Sequence, residues 1–377
     1  MNRMSQLPAA LALPALLGLV SGSPASAQPL HDRVFNQPGN ILIADQFNNR
    51  VVEMDDDANI IWQFGSGSNV PGPGSVVAPN DVERVFYLGP TSMAAGYADT
   101  EDPNDLTLIS GTGAPAGAEP GCDNGCPDNR VFLVTKEGRI AWQYGQAGVT
   151  GAGANQLNTP VCAVYLPLHR HVLITDQGNQ RVIEVNRDDN SIVWQYGTTG
   201  VAGADVNQLN NPNSAELLAN GNVLIADENN NRVIEVNRDN EIVWQYGDPA
   251  DPTIVSAAAF ASRLASGNTL ISDSGNNRIL EVASDGTVVS NYATNMQDGS
   301  VAAPAPTRAV RLRNGDTLIS NQFNHQVIEV DSTGAVVLSL GQIGVSGSGF
   351  NQLNAPYDAK VIDDYTGLTP PIWPIWY

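Results

Sequence analysis

The chain has 377 residues, 39 acidic side chains against 18 basic ones, and a formal net charge of -21. That balance argues against a grip on nucleic acid, whose phosphate backbone is held mainly by basic side chains. At 42% hydrophobic the chain is also no disordered acidic tail, and 36 glycines with 24 prolines point to a fold rich in turns.

In chain order, residues 1–27 read as an export signal. Arg3 is their one charge, an apolar run spans Leu7 to Val20, and Ala25-Ser26-Ala27 offers a small-residue cleavage site. Pro8 and Pro14 interrupt the run, and no later stretch reaches the ~18 apolar residues of a membrane-spanning helix. The expectation is a protein with no transmembrane segment, periplasmic or secreted after cleavage near Ala27. Residues 28–366 are expected to form its domain, with a Pro/aromatic tail over 367–377.

Self-comparison of the sequence shows a recurring phrase. Its clearest copy runs from Gly221 to Val236, through Asp227, Asn230, Arg232 and Glu235, and is followed by Ile242-Val-Trp244-Gln-Tyr-Gly247. Other copies carry Asp45, Arg50 and Trp62; Asp176, Arg181 and Trp194; and Asp273 with Arg278, where the tryptophan is missing. Another has Asn321 and Gln326 in place of Asp and Arg, with His325 beside them. A sixth is split: Leu106 to Ser110 gives its first half and Asp128-Asn-Arg130 to Trp142-Gln-Tyr-Gly145 its second, with an insertion placed at 86–127.

Each copy reads as strands, because the Val-Leu-Ile-Ala and Arg-Val-Ile-Glu-Val runs are rich in β-branched residues and are separated by Asn/Asp/Gly turn chemistry. Four strands in ~45 to 50 residues is the period of a propeller blade. The fold predicted is therefore all-β, a six-bladed propeller of four-stranded antiparallel blades. Asn354 to Ile362 matches only the first strand of a repeat, and is expected to close the ring by joining the N-terminal blade. His31 to Phe35 is the competing first strand.

Linkers such as Gly148 to Pro160, repeated at Gly200 to Pro212 and Gly344 to Pro356, resemble those of NHL-repeat propellers, as do the Asp-x-x-Asn-x-Arg turns. The Asn-Gly-Asn-Val-Leu-Ile and Ile-Val-Trp-Gln-Tyr phrases are also similar to blades of bacterial arylsulfotransferase-like proteins. The resemblance implies the fold, and blade grammar does not carry function with it.

In a propeller the linkers and the turns between second and third strands share one face. Asp45, Asp176, Asp227 and Asp273 should ring that face as structural staples, each paired with its own arginine (Arg50, Arg181, Arg232, Arg278). The positions that vary while their surroundings repeat are better candidates for contact with a ligand. Just after each linker these are Asp81, Cys162, Ser214, Phe260, Arg308 and Asp358. In the sixth blade, where the usual carboxylate is replaced, Arg308 is expected to be free for an anion and His325 to be its catalytic companion. The histidine-rich zinc sites, nucleophiles and bases of the amidating lyases, sulfotransferases and streptogramin lyases related to such folds are not matched by four histidines spread over two faces.

Cys122 and Cys126 bracket a short turn and read as a disulfide in an oxidising compartment, since a zinc site would need two further ligands there. Cys162 is left over and reads as a small buried residue. No cofactor is predicted; calcium on Asp and Asn oxygens is conceivable, although EF-hand spacing is missing. The leading expectation is a monomeric binding or scaffold module that takes a protein, peptide or glycan on the linker face. The alternative is a periplasmic enzyme, arylsulfotransferase-like or a lyase, with its site in the central channel. The tail from Pro370 to Tyr377 is expected to dock a partner in polyproline form or to cover an apolar part of its own domain.

Overall fold

A computed structural model describes residues 34–85, 106–167 and 169–364. The leader, His31, most of the segment that precedes Leu106, and the tail lie outside the described residues. By internal contacts the chain divides into Met1–Arg33 and Val34–Tyr377.

The second unit is a six-bladed propeller, each blade an antiparallel sheet of four strands. Blade 4 shows how the sequence builds it. Its second strand, Val223–Asp227, and third, Arg232–Val236, are buried along their whole length, because each is covered on both faces by neighbouring blades. That is why both read as unbroken apolar runs rather than as an alternation. The fourth strand, Ile242–Gly247, lies at the rim and is only partly buried. Between second and third strands a single turn, Glu228–Asn230, ends on Asn231 at φ +49°, a left-handed conformation that asparagine tolerates better than most residues. Six hydrophobic clusters fill the seams, one between each pair of adjacent blades.

Pro356–Val361 pairs antiparallel with Ile41–Asp45 as the innermost strand of blade 1, so the two ends of the ring share one sheet. This removes the open edge that a linear array of blades would present. Val34 and Phe35 form no strand; Phe35 instead packs edge-on against Trp62, at 5.7 Å between ring centroids.

Blade 2 carries both halves of the split copy, Leu106 to Ser110 and Asp128 onward, on strands longer than the copies themselves. Its second strand is Leu106–Ala114 and its third Cys126–Val134, so both reach into the segment read as insertion. The intervening hairpin is closed by the Cys122–Cys126 disulfide. It leans on the first blade and linker, where Asn49 Nδ2 donates to Glu119 at 2.7 Å and Asn69 Nδ2 to the Pro120 carbonyl at 2.9 Å.

Candidate functional site

The linker face is organised by the staples. In the hairpin register Asp227 stands opposite Arg232, which brings carboxylate and guanidinium together. Asp227 accepts from Arg232 Nε at 2.8 Å, from Asn230 Nδ2 at 2.7 Å and from the backbone N–H of Asn210, in the preceding linker, at 2.8 Å. Asp45, Asp176 and Asp273 repeat the arrangement with Arg50, Arg181 and Arg278 at 2.6–2.8 Å. Burial pushes the Asp45, Asp176 and Asp227 carboxyls up from their ordinary range, and the arginine, asparagine and linker amide pull against it. The staple therefore ties each turn to the linker that enters its blade.

Blade 2 makes the same staple from the other strand. Gly111 stands where the aspartate should be, opposite Arg130. A Cβ on Gly111 would meet Asp128 Oδ2 at 2.7 Å, so the carboxylate reaches the same place from the facing strand. Asp128 accepts from the Val77 N–H at 2.8 Å and pairs with Arg130, as the other staples do.

Blade 6 has no such charge pair. Asn321 donates to the Thr294 carbonyl at 3.1 Å and Gln326 to Ser339 Oγ at 3.0 Å. His325 takes the left-handed turn position, at φ +56°, that asparagine holds in blades 1, 4 and 5 and Gln180 in blade 3. Its Nδ1 accepts from the Ala355 N–H at 3.0 Å. The side-chain oxygens of Asn49, Gln180, Asn231 and Asn277 accept the matching linker amides of Ala78, Asn211, Ala257 and Ala305. His325 thus substitutes for an amide oxygen, and partial burial lowers its pKa, which favours the neutral ring that can accept.

The six variable positions all lie on innermost strands and all are buried. Arg308 is not free for an anion, which corrects the reading of blade 6. Its Nη2 pairs with Asp81 at 2.6 Å and its Nε with Asp358 at 2.9 Å, and its guanidinium lies 4.2 Å over the Phe260 ring. The missing carboxylate is supplied from two other blades. Lys360, one of the two lysines in the chain, completes a quartet at 3.0 Å from Asp81 and 2.9 Å from Asp358. Burial works to raise Asp358, but Arg308 and Lys360 overcome it and hold the carboxyl down to about 2. Asp81 accepts from the Ala163 N–H and Asp358 from the Val82 N–H, while Ser214 Oγ accepts from Ala261 N–H. Cys162 lies beyond the charges, and burial pushes its thiol up to about 12. The ring of variable residues is an internal plug, with its charged half on blades 6, 1 and 2 and its neutral half on blades 3 to 5. Arg308 and His325 hold different partners, so the structure does not join them as a catalytic pair.

Four further side chains of the channel, Glu228, Asn213, Tyr357 and Lys360, were not marked by the repeat pattern. Glu228 sits at the channel mouth, its carboxyl raised by burial, and accepts from Asn213 Nδ2 at 2.8 Å. Asn213 also donates to the Tyr357 hydroxyl at 2.9 Å. Lys360 could have been found by its rarity, and Glu228 because the residue after the staple aspartate is Gln46 or Gln177 in other blades. Among the described residues no group of three His, Cys, Asp or Glu side chains is placed to hold a metal, and no helix is long and apolar enough to cross a membrane.

Fold and channel together define a closed six-bladed propeller with a charge-filled axis. Over residues 127–348, more than half of its length, the chain matches the family model described as outer membrane protein assembly factor BamB, and it belongs to that family. No curated protein matches it. Among solved structures, a protein of unknown function from Bacteroides caccae shares 15% identity at a TM-score of 0.57, over 86% of this chain and 98% of that one. A streptogramin B lyase gives 14% and 0.44 over 65% and 67% of the two chains. The virginiamycin B lyase of Staphylococcus aureus gives 13% and 0.42 over 65% and 72%. At such identities the likeness is one of fold.

Proposed function

We propose that the protein is an exported propeller scaffold of the cell envelope that binds polypeptide on its linker face. The observation that carries this reading is a ring of exposed apolar side chains with one member on each linker. Val70, Val206, Met296 and Phe350 are 69–79% exposed, and Val149 and Ile254 complete the circle. Apolar side chains spaced around one face suit an extended or partly folded chain that offers apolar side chains in return. Membership in a family described as an outer membrane protein assembly factor supports the same kind of partner. The export signal and the NHL-like form of the linkers belong to this proposal. A photo-reactive side chain at Phe350 should crosslink to envelope polypeptides, whereas one at Val289 on the outer rim should not. Equal yields from the two positions would count against the linker face.

A second reading, an enzyme with its site at the channel mouth, is favoured by Glu228. A half-buried carboxyl with a raised pKa, next to a hydrogen-bonded Tyr357–Asn213 pair, suits general acid–base work. On that reading Glu228→Gln abolishes whatever lyase or hydrolase activity the purified protein shows. An activity indifferent to Glu228→Gln would exclude this site.

A further inference from the structure

The tryptophans of blades 1 to 4 seal the seams on the side away from the linkers. Trp244 stands opposite Glu235 and donates its indole N–H to the Ser284 carbonyl at 3.0 Å, in the turn between third and fourth strands of blade 5. Arg263 lies 5.1 Å over the ring, held by Glu235 at 2.9 Å and Thr269 at 3.0 Å. Blade 1 repeats this: Trp62 donates to the Lys136 carbonyl at 2.8 Å, beneath Arg84 at 5.2 Å, which pairs with Glu53 at 2.7 Å.

Between blades 5 and 6 the walls of this socket are present without the indole. Opposite Glu281 stands Ser290. Arg311 is held by Glu281 at 2.9 Å and Thr317 at 3.0 Å, as Arg263 is in its own seam. The turn at Asp331 closes with Gly334 N–H donating to the Asp331 carbonyl at 3.0 Å, matching Gly286 to Ala283 at 2.9 Å. The Ser332 backbone thus takes the place of Ser284 in the turn. A cavity of about 310 Å³ remains, walled by Leu270, Ile279, Tyr292, Ile319, Ser290 and Arg311. The hydrophobic cluster of this seam is the smallest of the six. An apolar cavity of ~150 Å³ already accepts a benzene ring. One side of the cavity is apolar, from Leu270, Ile279, Tyr292 and Ile319, and the other is polar, with Glu281, Asn291, Asp331 and Thr333 in its lining. That division, with a guanidinium placed as Arg263 is over Trp244 and a carbonyl in the adjoining turn, suits a planar aromatic group with an N–H donor.

We infer that this socket receives an indole of the chain's own C-terminal tail, Trp373 or Trp376. The Asp364 carboxylate accepts from the Arg313 backbone N–H at 3.1 Å, and Gly315, two residues further along that turn, lies on the cavity wall. Trp373 lies nine positions beyond Asp364, a reach of ~30 Å when extended. The tail sequence carries Pro371 and Pro374, and proline lowers the entropy that a chain has to lose on docking. The tail would supply to blade 5 the tryptophan that its fourth strand lacks.

The test uses the full chain labelled with fluorotryptophan, whose six tryptophans give six ¹⁹F resonances, assigned by single Trp→Phe variants. One tail resonance is expected well away from the free amino acid's position, and Ser290→Trp, which fills the socket from within, should return it there. Arg311→Ala, a milder change in case Ser290→Trp misfolds, should move the same resonance part of the way. Two tail resonances at the free position in the native chain would overturn the inference. So would a shifted resonance that neither variant moves, or one that returns to the free position on dilution, which would mark the tail of a second copy.

Discussion

The rim staples and the channel quartet are made from the same chemistry, carboxylates paired with arginine, yet they do different work. A staple joins residues five apart, Asp227 to Arg232, and is repeated around the face. The quartet joins Asp81 to Arg308 across 227 residues and occurs once. It gathers blades 6, 1 and 2 around the closing strand, which itself carries Asp358 and Lys360. Repeated local pairs fix the shape of each blade; the single long-range cluster fastens the ring where its two ends meet.

The largest expected effect comes from breaking that clasp. Arg308→Met leaves two buried carboxylates to share Lys360 and should cost about 3–5 kcal/mol in urea unfolding. Arg232→Met in a staple should cost about 1–3 kcal/mol, because Asp227 keeps the Asn230 and Asn210 donors. Equal losses would erase the distinction between clasp and staple. Of intermediate size is the rebuilding of the missing pair. Asn321→Asp with Gln326→Arg should raise stability by about 1 kcal/mol if blade 6 accepts the geometry of its neighbours. A loss instead would show that this blade is adapted to neutral amides.

The smallest effect is at His325. Replacement by asparagine should fall within about 0.5 kcal/mol at pH 7.5, while alanine, which orphans the Ala355 amide, costs about 1 kcal/mol. The pH dependence has a definite sign. A histidine whose folded pKa lies below its ordinary 6.5 binds a proton more readily when unfolded. Its contribution is complete above pH 6.5 and is lost as the pH falls through the folded value. Thermal melts should show this loss in the native protein and a flatter profile in His325→Asn.

How legible these features were follows from their range. Staples and blade number could be read because each lies within a few residues and recurs, and the closing strand because Asn354 to Ile362 repeats a first strand alone. The exchange of Gly111 and Asp128 kept the staple but moved its carboxylate to the facing strand, a swap visible only in the hairpin register. The variable ring was found as a set of positions, but its character was misjudged at Arg308. Which charges meet across a ring depends on how six blades close, and no local spacing records that. His325 looked exceptional as a residue type, whereas its ring nitrogen does what an asparagine oxygen does in other blades. The empty socket was present in the sequence only as a fourth copy without its tryptophan.

The central claim, that the linker face binds polypeptide while the channel is internal structure, is tested most directly by fluorescence anisotropy. A labelled, permanently unfolded protein would be titrated with the native chain and with a Val206→Ser, Met296→Ser, Phe350→Ser variant. The account predicts saturable binding by the native chain, a loss of tenfold or more in the variant, and unchanged thermal stability, since all three side chains are exposed. Binding that is absent from the native chain, or equally tight in the variant, would contradict it.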